Sequence, residues 1–172
     1  MIVLGLLGWS GSGKTHLLVQ LLPLFIARGL SVSTIKHAHH GFDLDQPGKD
    51  SYQHRAAGAR EVLVSSSKRW ALMHELAGPE PSQPELLSHL SDVDLVLVEG
   101  FKANAHAKIE VYRPSLGQPA FWPDRTDVVA VATDSPGDPV FTQCPHPILD
   151  LNAPEAIVTW SLGFLTLPPG GA

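Results

Sequence analysis

The chain has 172 residues, a formal net charge of −5 and a single cysteine. Hydrophobic residues make up 44% and charged residues 17%, a globular composition with material for one substantial core. This balance excludes a disordered chain or a disulfide scaffold and argues against a general nucleic-acid binder, which is usually basic; no run approaches the roughly 20 apolar residues that span a membrane.

The first element is an apolar, strand-like run from Ile2 to Leu7. No basic leader precedes it, so the expected location is the cytoplasm. Next comes "GWSGSGKT", Gly8 to Thr15, which matches the phosphate-loop pattern G-x-x-x-x-G-K-[ST]. Gly8, Gly11 and Gly13, with Ser10 and Ser12 between them, let the backbone turn its N–H groups inward toward an anion. Lys14 supplies a mobile charge for β- and γ-phosphates, and the Thr15 hydroxyl suits a magnesium ion. A helix is expected over His16 to Ala27 and ends at Arg28-Gly29. Strand before and helix after are the context a true phosphate loop requires.

Leu30 to Ile35 reads as a second strand, and Lys36 to Lys49 as a polar loop. The loop holds His37, His39, His40, Asp43 and Asp45 between Lys36 and Lys49, with Asp50 just beyond. It follows a strand, so the expectation puts it at the same sheet edge as the phosphate loop. Its carboxylates are candidates for completing a magnesium shell or orienting water, and its lysines for holding phosphate or a second ligand. The histidines also admit a transition-metal reading, with Cys144 and His146 as a further soft-ligand pair.

A short helix is expected from Ser51 to Gly58, capped by Asp50 or Ser51. Glu61 to Ser65 reads as a strand, and Lys68 to His74 as another strand or a helix start. Gly78 to Pro84 is a proline-rich turn and Pro84 to Leu90 a helix. Asp94 to Val98 is a buried strand that delivers Glu99 to its C-terminal end, where ligands bind in parallel sheets. Ile109 to Tyr112 reads as a strand, a possible hairpin arm at a sheet edge. Val128 to Ala132 and Ile148 to Leu151 are further strands, and Pro154 to Leu165 a closing helix. Pro168 to Ala172 is expected to be a loose tail. Strands alternating with helices imply an α/β P-loop fold, three layers αβα, with a mainly parallel sheet in a single domain over residues 1–167.

Three segments, "GWSGSGKTHL", "TIKHAHHGFDLDQPGKDSYQHRAAGA" and "LVLVEGFK", occur in an order that resembles the MobB family, the molybdopterin-guanine dinucleotide biosynthesis protein B family. The resemblance implies a cytoplasmic, homodimeric, GTP-binding protein with weak GTPase activity. It implies a partner, a MobA nucleotidyltransferase, which joins GMP to molybdopterin. By resemblance, Gly8 to Thr15 and His16 lie at the phosphates, Thr15 and Glu99 serve Mg²⁺, and the loop from Lys36 to Asp50 borders the site. Glu99, His37 and Asp50 are the candidate catalytic groups; Lys36, His39, His40, Asp43, Asp45 and Lys49 are candidates for holding a second ligand, and molybdopterin is a candidate partner. The N-K-x-D guanine signature is absent, since Asn104 and Asn152 are each followed by Ala. Asp134, at the end of "VAVATD", is the candidate reader of guanine. A metallochaperone GTPase and a small-molecule kinase are the competing functions.

Overall fold

A computed structural model describes residues 1–38 and 41–166. Two compact units share the chain: residues 1–37 with those from 90 onward, and residues 38–89.

The first unit is built on a six-stranded, wholly parallel sheet. Its strands are β1 (Ile2–Leu7), β2 (Val32–Lys36), β5 (Leu95–Glu99), β6 (Lys108–Val111), β7 (Val128–Thr133) and β8 (Ile148–Asp150). They lie in the order β2-β5-β1-β6-β7-β8. Parallel strands are buried on both faces and read as continuous apolar runs, as "LVLV" in β5 does. On one face, Leu4, Leu6, Leu97 and Ile109 pack against Leu17, Leu21 and Phe25 of helix α1 (Lys14–Ala27) and Ile157 and Val158 of helix α4 (Pro154–Thr166). On the other, Leu7, Tyr112, Val128, Val131 and Phe141 form a second cluster, with Phe121, Trp122 and Cys144 against it. Among the described residues, no helix is long and apolar enough to cross a membrane.

Ile109 to Tyr112 contradicts the edge-strand expectation. β6 runs parallel between β1 and β7, and Lys108 to Val111 are all buried. The edges are β2 and β8. A four-residue run carries no signal of its neighbours, and charged Lys108 and Glu110 disguised a strand that buries them through ion pairing and hydrogen bonding.

The second unit holds α2 (Asp50–Ala56), β3 (Glu61–Ser65), β4 (Trp70–His74) and α3 (Gln83–Ser88). Lys68 to His74 resolves into the strand β4, paired antiparallel with β3. The link between them is too short for the crossover a parallel pair needs, so they form a hairpin apart from the main sheet. The α2 cap also differs from expectation. Lys49 is the N-cap and makes no side-chain cap bond, while Asp50 lies in the first turn, where its charge suits the helix dipole. α3 begins one residue before the expected Pro84, because Ser82 and Glu85 form a reciprocal capping box. His39, His40 and the tail from Pro168 to Ala172 lie outside the described residues.

Candidate functional site

The C-terminal ends of β1, β5 and β2 meet at one edge of the sheet. Strand register sets Glu99 beside Leu6 on one side and Lys36 on the other. Two residues past Leu6 the chain enters the phosphate loop at Gly8. A Cβ at Gly8 would stand 2.5 Å from the Val111 carbonyl oxygen and 2.6 Å from Ser12 Oγ, and its φ is 153°, so only glycine fits. Gly13 precedes α1 in the left-handed region, with no side-chain cap and no acidic residue in the first turn. The orphan N–H groups of that turn, and the positive end of the helix dipole, therefore remain available to an anion.

Lys14 Nζ donates to the carbonyls of Gly8, at 2.9 Å, and Trp9, at 2.8 Å, which curls the ammonium over its own loop. Its pKa is lowered by burial and by the nearby cations Lys102 and Lys36, against the opposing pull of Glu99. Thr15 Oγ1 donates to Glu99 Oε1 at 2.6 Å. Ser12 Oγ is buried without a hydrogen-bond partner. Ser10, Gly11, Gly13, Lys14, Thr15, His16, Lys36 and Glu99 line one cavity of about 390 Å³. A second cavity, of about 200 Å³, shares Gly13 and His16 and adds Leu17, Gln20, Arg113, Leu151 and Asn152.

These residues fit a phosphate chain with a hard divalent cation. The orphan N–H groups and Lys14 suit phosphate oxygens; the hydroxyl and carboxylate of Thr15 and Glu99 are oxygen donors of the kind Mg²⁺ takes. Among the described residues, no group of three His, Cys, Asp or Glu side chains could hold a metal ion. Cys144 packs against the second core cluster, and burial pushes its thiol pKa up.

The other residues singled out in the sequence are spread between the two units. His37 directly follows β2, its N–H donating to the Glu99 carbonyl at 2.8 Å and its ring packed on Phe101. Asp134 directly follows β7 and accepts a hydrogen bond from Arg113. In the second unit, Asp43 and Asp45 both pair with Arg55 at 2.8 Å, and the Asp45 side chain is 5% exposed. Lys49 and Asp50 are exposed at the start of α2.

Arg113 is the residue that sequence reasoning missed. It follows β6, donates from Nε to the Ser12 carbonyl at 2.9 Å, and joins the phosphate loop to Asp134. Arg113 lies two residues past β6, and a strand that reads as a sheet edge gives no reason to look for a ligand group at its end.

The family model for molybdopterin guanine dinucleotide synthesis protein B matches residues 3–134. The chain belongs to the MobB family. It is 45% identical to the molybdopterin-guanine dinucleotide biosynthesis adapter protein of Escherichia coli K12, over 78% of this chain and 79% of that protein. It is 41% identical to the adapter protein of Haemophilus influenzae, over 87% of this chain and 82% of the relative. Its fold matches the crystal structure of Bacillus subtilis MobB with a TM-score of 0.71, at 24% identity, covering 99% of this chain and 100% of that one. The MobB match runs from β1 to Asp134, so it takes in both the phosphate loop and Glu99.

Proposed function

We propose that this chain is a guanine-nucleotide-binding adapter in molybdopterin-guanine dinucleotide synthesis. In this reading it binds GTP with Mg²⁺, hydrolyses it slowly and works as a homodimer in the cytoplasm. It acts beside a MobA-type nucleotidyltransferase. The observation that carries the reading is the Thr15–Glu99 contact next to an intact phosphate loop, in a chain of the MobB family.

The chemistry follows from the residues. The loop N–H groups from Ser10 to Thr15 bind phosphate oxygens, and Lys14 turns from the Gly8 and Trp9 carbonyls toward the terminal phosphates. Thr15 and Glu99 would hold Mg²⁺, which would offset phosphate charge. Lys36 adds a cation on the Glu99 side of the cavity. The nucleobase lies toward the smaller cavity, with Asp134 the proposed reader of the guanine N–H groups and Arg113 its bridge to the loop. The segment from Lys36 to Lys49 is the proposed contact for molybdopterin. This division gives the chain a holding and presenting role, while the transferase forms the phosphoanhydride bond.

The test is a reconstituted synthesis with limiting GTP and a MobA-type transferase. Adding this protein is expected to raise the rate or yield of the dinucleotide cofactor. Unchanged rate and yield refute the adapter reading. A binding panel of GTP, GDP and ATP with Mg²⁺ checks the ligand independently.

A further inference from the structure

β5 ends in an uncommon turn. After Glu99, Gly100 has φ 99° and Phe101 has φ 48°. A bulky residue in the left-handed region is strained and persists only where its surroundings hold it, typically near functional sites. The hold is visible here. The Phe101 ring packs on the His37 imidazole with centroids 4.4 Å apart, and a Cβ at Gly100 would stand 2.8 Å from that of His37.

The turn places Lys102 above the phosphate loop. Its Nζ lies 4.8 Å from the ring centroid of Trp9, a loop residue, and 5.3 Å from that of Phe121. The two rings stack 5.0 Å apart. Their platform is anchored: the Trp9 indole N–H donates to the Pro119 carbonyl at 2.8 Å. Buried Glu110 accepts the N–H groups of Phe121, at 2.9 Å, and Trp122, at 2.8 Å. Lys102 is half-buried, and among the described residues no carboxylate pairs with it. It is near enough to Lys14 to help lower that residue's pKa, after the larger effect of burial.

An aromatic face is a modest partner for an ammonium ion, and a phosphate oxygen is a stronger one. Lys36 already lines the phosphate cavity at rest, whereas Lys102 has to move to enter it. We propose that Lys102 is a specificity-determining residue of the nucleotide site: it rests on the Trp9–Phe121 stack and transfers to the terminal phosphate of a bound nucleoside triphosphate, so separating triphosphate from diphosphate. This inference rests on the nucleotide-binding reading above.

GTP and GDP are titrated, each with Mg²⁺, into the parent protein and the Lys102→Met, Lys102→Arg, Trp9→Phe and Lys14→Ala variants, with circular dichroism to confirm folding. Lys102→Met is expected to lose about tenfold in GTP affinity with GDP affinity unchanged, and Lys102→Arg to regain it. GTP is expected to change tryptophan emission in the parent but not in Lys102→Met or in Trp9→Phe, which keeps a ring under the lysine. An unchanged GTP-to-GDP ratio in Lys102→Met, while Lys14→Ala loses both nucleotides, overturns this inference and leaves the nucleotide site standing. Equal loss of GTP and GDP in Lys102→Met also overturns it, since the lysine then acts as general charge. A parent protein that binds neither nucleotide overturns the inference and the underlying reading together.

Discussion

Thr15 Oγ1 and Glu99 Oε1 are 2.6 Å apart, joined across 84 positions of sequence. One residue lies in the first turn of α1 and the other closes β5, so the contact exists because α1 begins and β5 ends at the same sheet edge. In the proposed reading this hydroxyl and carboxylate would share one hard cation. Glu99→Gln and Thr15→Val are each expected to raise the Mg²⁺ concentration for half-maximal nucleotide binding by about tenfold, with little change in thermal stability. Overlaid magnesium titrations would reduce the pair to a structural hydrogen bond.

Lys14→Ala is expected to abolish tight GTP binding while the fold survives. Among the described residues the ammonium bonds to two carbonyls of its own loop, and burial disfavours its charged form, so removing it is expected to cost the fold little. A loss of at least about a hundredfold in affinity, with an unchanged urea midpoint, is the expected pair of results. Parent-like affinity in a folded variant would remove the phosphate-loop assignment.

Arg113→Met and Asp134→Asn separate two roles. Arg113 grips the Ser12 carbonyl, so its loss is expected to weaken GTP and ATP alike, by about tenfold. Asp134→Asn is expected to narrow the preference for GTP over ATP, because in the proposed reading its half-buried carboxylate accepts the guanine N–H groups that adenine lacks. Competition binding with both nucleotides measures each effect. An equal loss of GTP and ATP in Asp134→Asn would assign the aspartate to holding Arg113 in place and the base to other groups.

His106 gives a pH signature. Burial, then the neighbouring Lys108 and Arg125, outweigh Asp127 and lower its pKa from 6.5 to about 4. The unfolded chain therefore binds more protons than the folded one between those values, and stability falls as pH drops from 6.5 toward 4. His106→Gln is expected to flatten that part of the profile, read as urea midpoints at pH 7.5 and 4.5. The depressed pKa of Asp127 acts lower. Burial pushes it up, but hydrogen bonds from Arg125 and Lys108 hold it at about 2, so its contribution persists above 3.8 and is lost as pH falls toward 2. An unchanged slope in His106→Gln would place the titration elsewhere.

Gly100→Ala tests the turn after β5. The added Cβ would meet His37 Cβ at 2.8 Å and the His37 carbonyl at 3.2 Å, at a φ of 99°. Loss of about 2 kcal/mol, measured by urea unfolding, is expected from strain and overlap together. Gly29→Ala, with φ 84° but open space around it, is expected to cost about 1 kcal/mol, the strain alone. Equal costs would show that the close approach to His37 relaxes freely.

The parts of the site legible in the sequence were those where one short segment carries both the geometry and the chemistry. Gly8 to Thr15 is such a segment: glycine spacing, lysine and hydroxyl are contiguous, and strand and helix flank them. Glu99 could be found because "LVLV" marks a buried parallel strand and ligands gather where such strands end. The same periodicities established an α/β fold with a parallel sheet.

Strand order and partnership were decided only by the tertiary structure. β6 reads like an edge strand but stands between β1 and β7, because the burial of Lys108 and Glu110 depends on Asp127, Phe121 and Trp122, none of them adjacent in sequence. β3 and β4 look like members of the main sheet but pair with each other, because the link between them is too short for anything else. Arg113 and Lys102 gained their places from distant partners, one from Ser12 and the other from the Trp9–Phe121 stack. Local spacing determines which segments become helix, strand or phosphate loop, since those depend on near neighbours. Which charged side chains converge on the loop depends on contacts between residues tens of positions apart, and only folding the whole chain decides them.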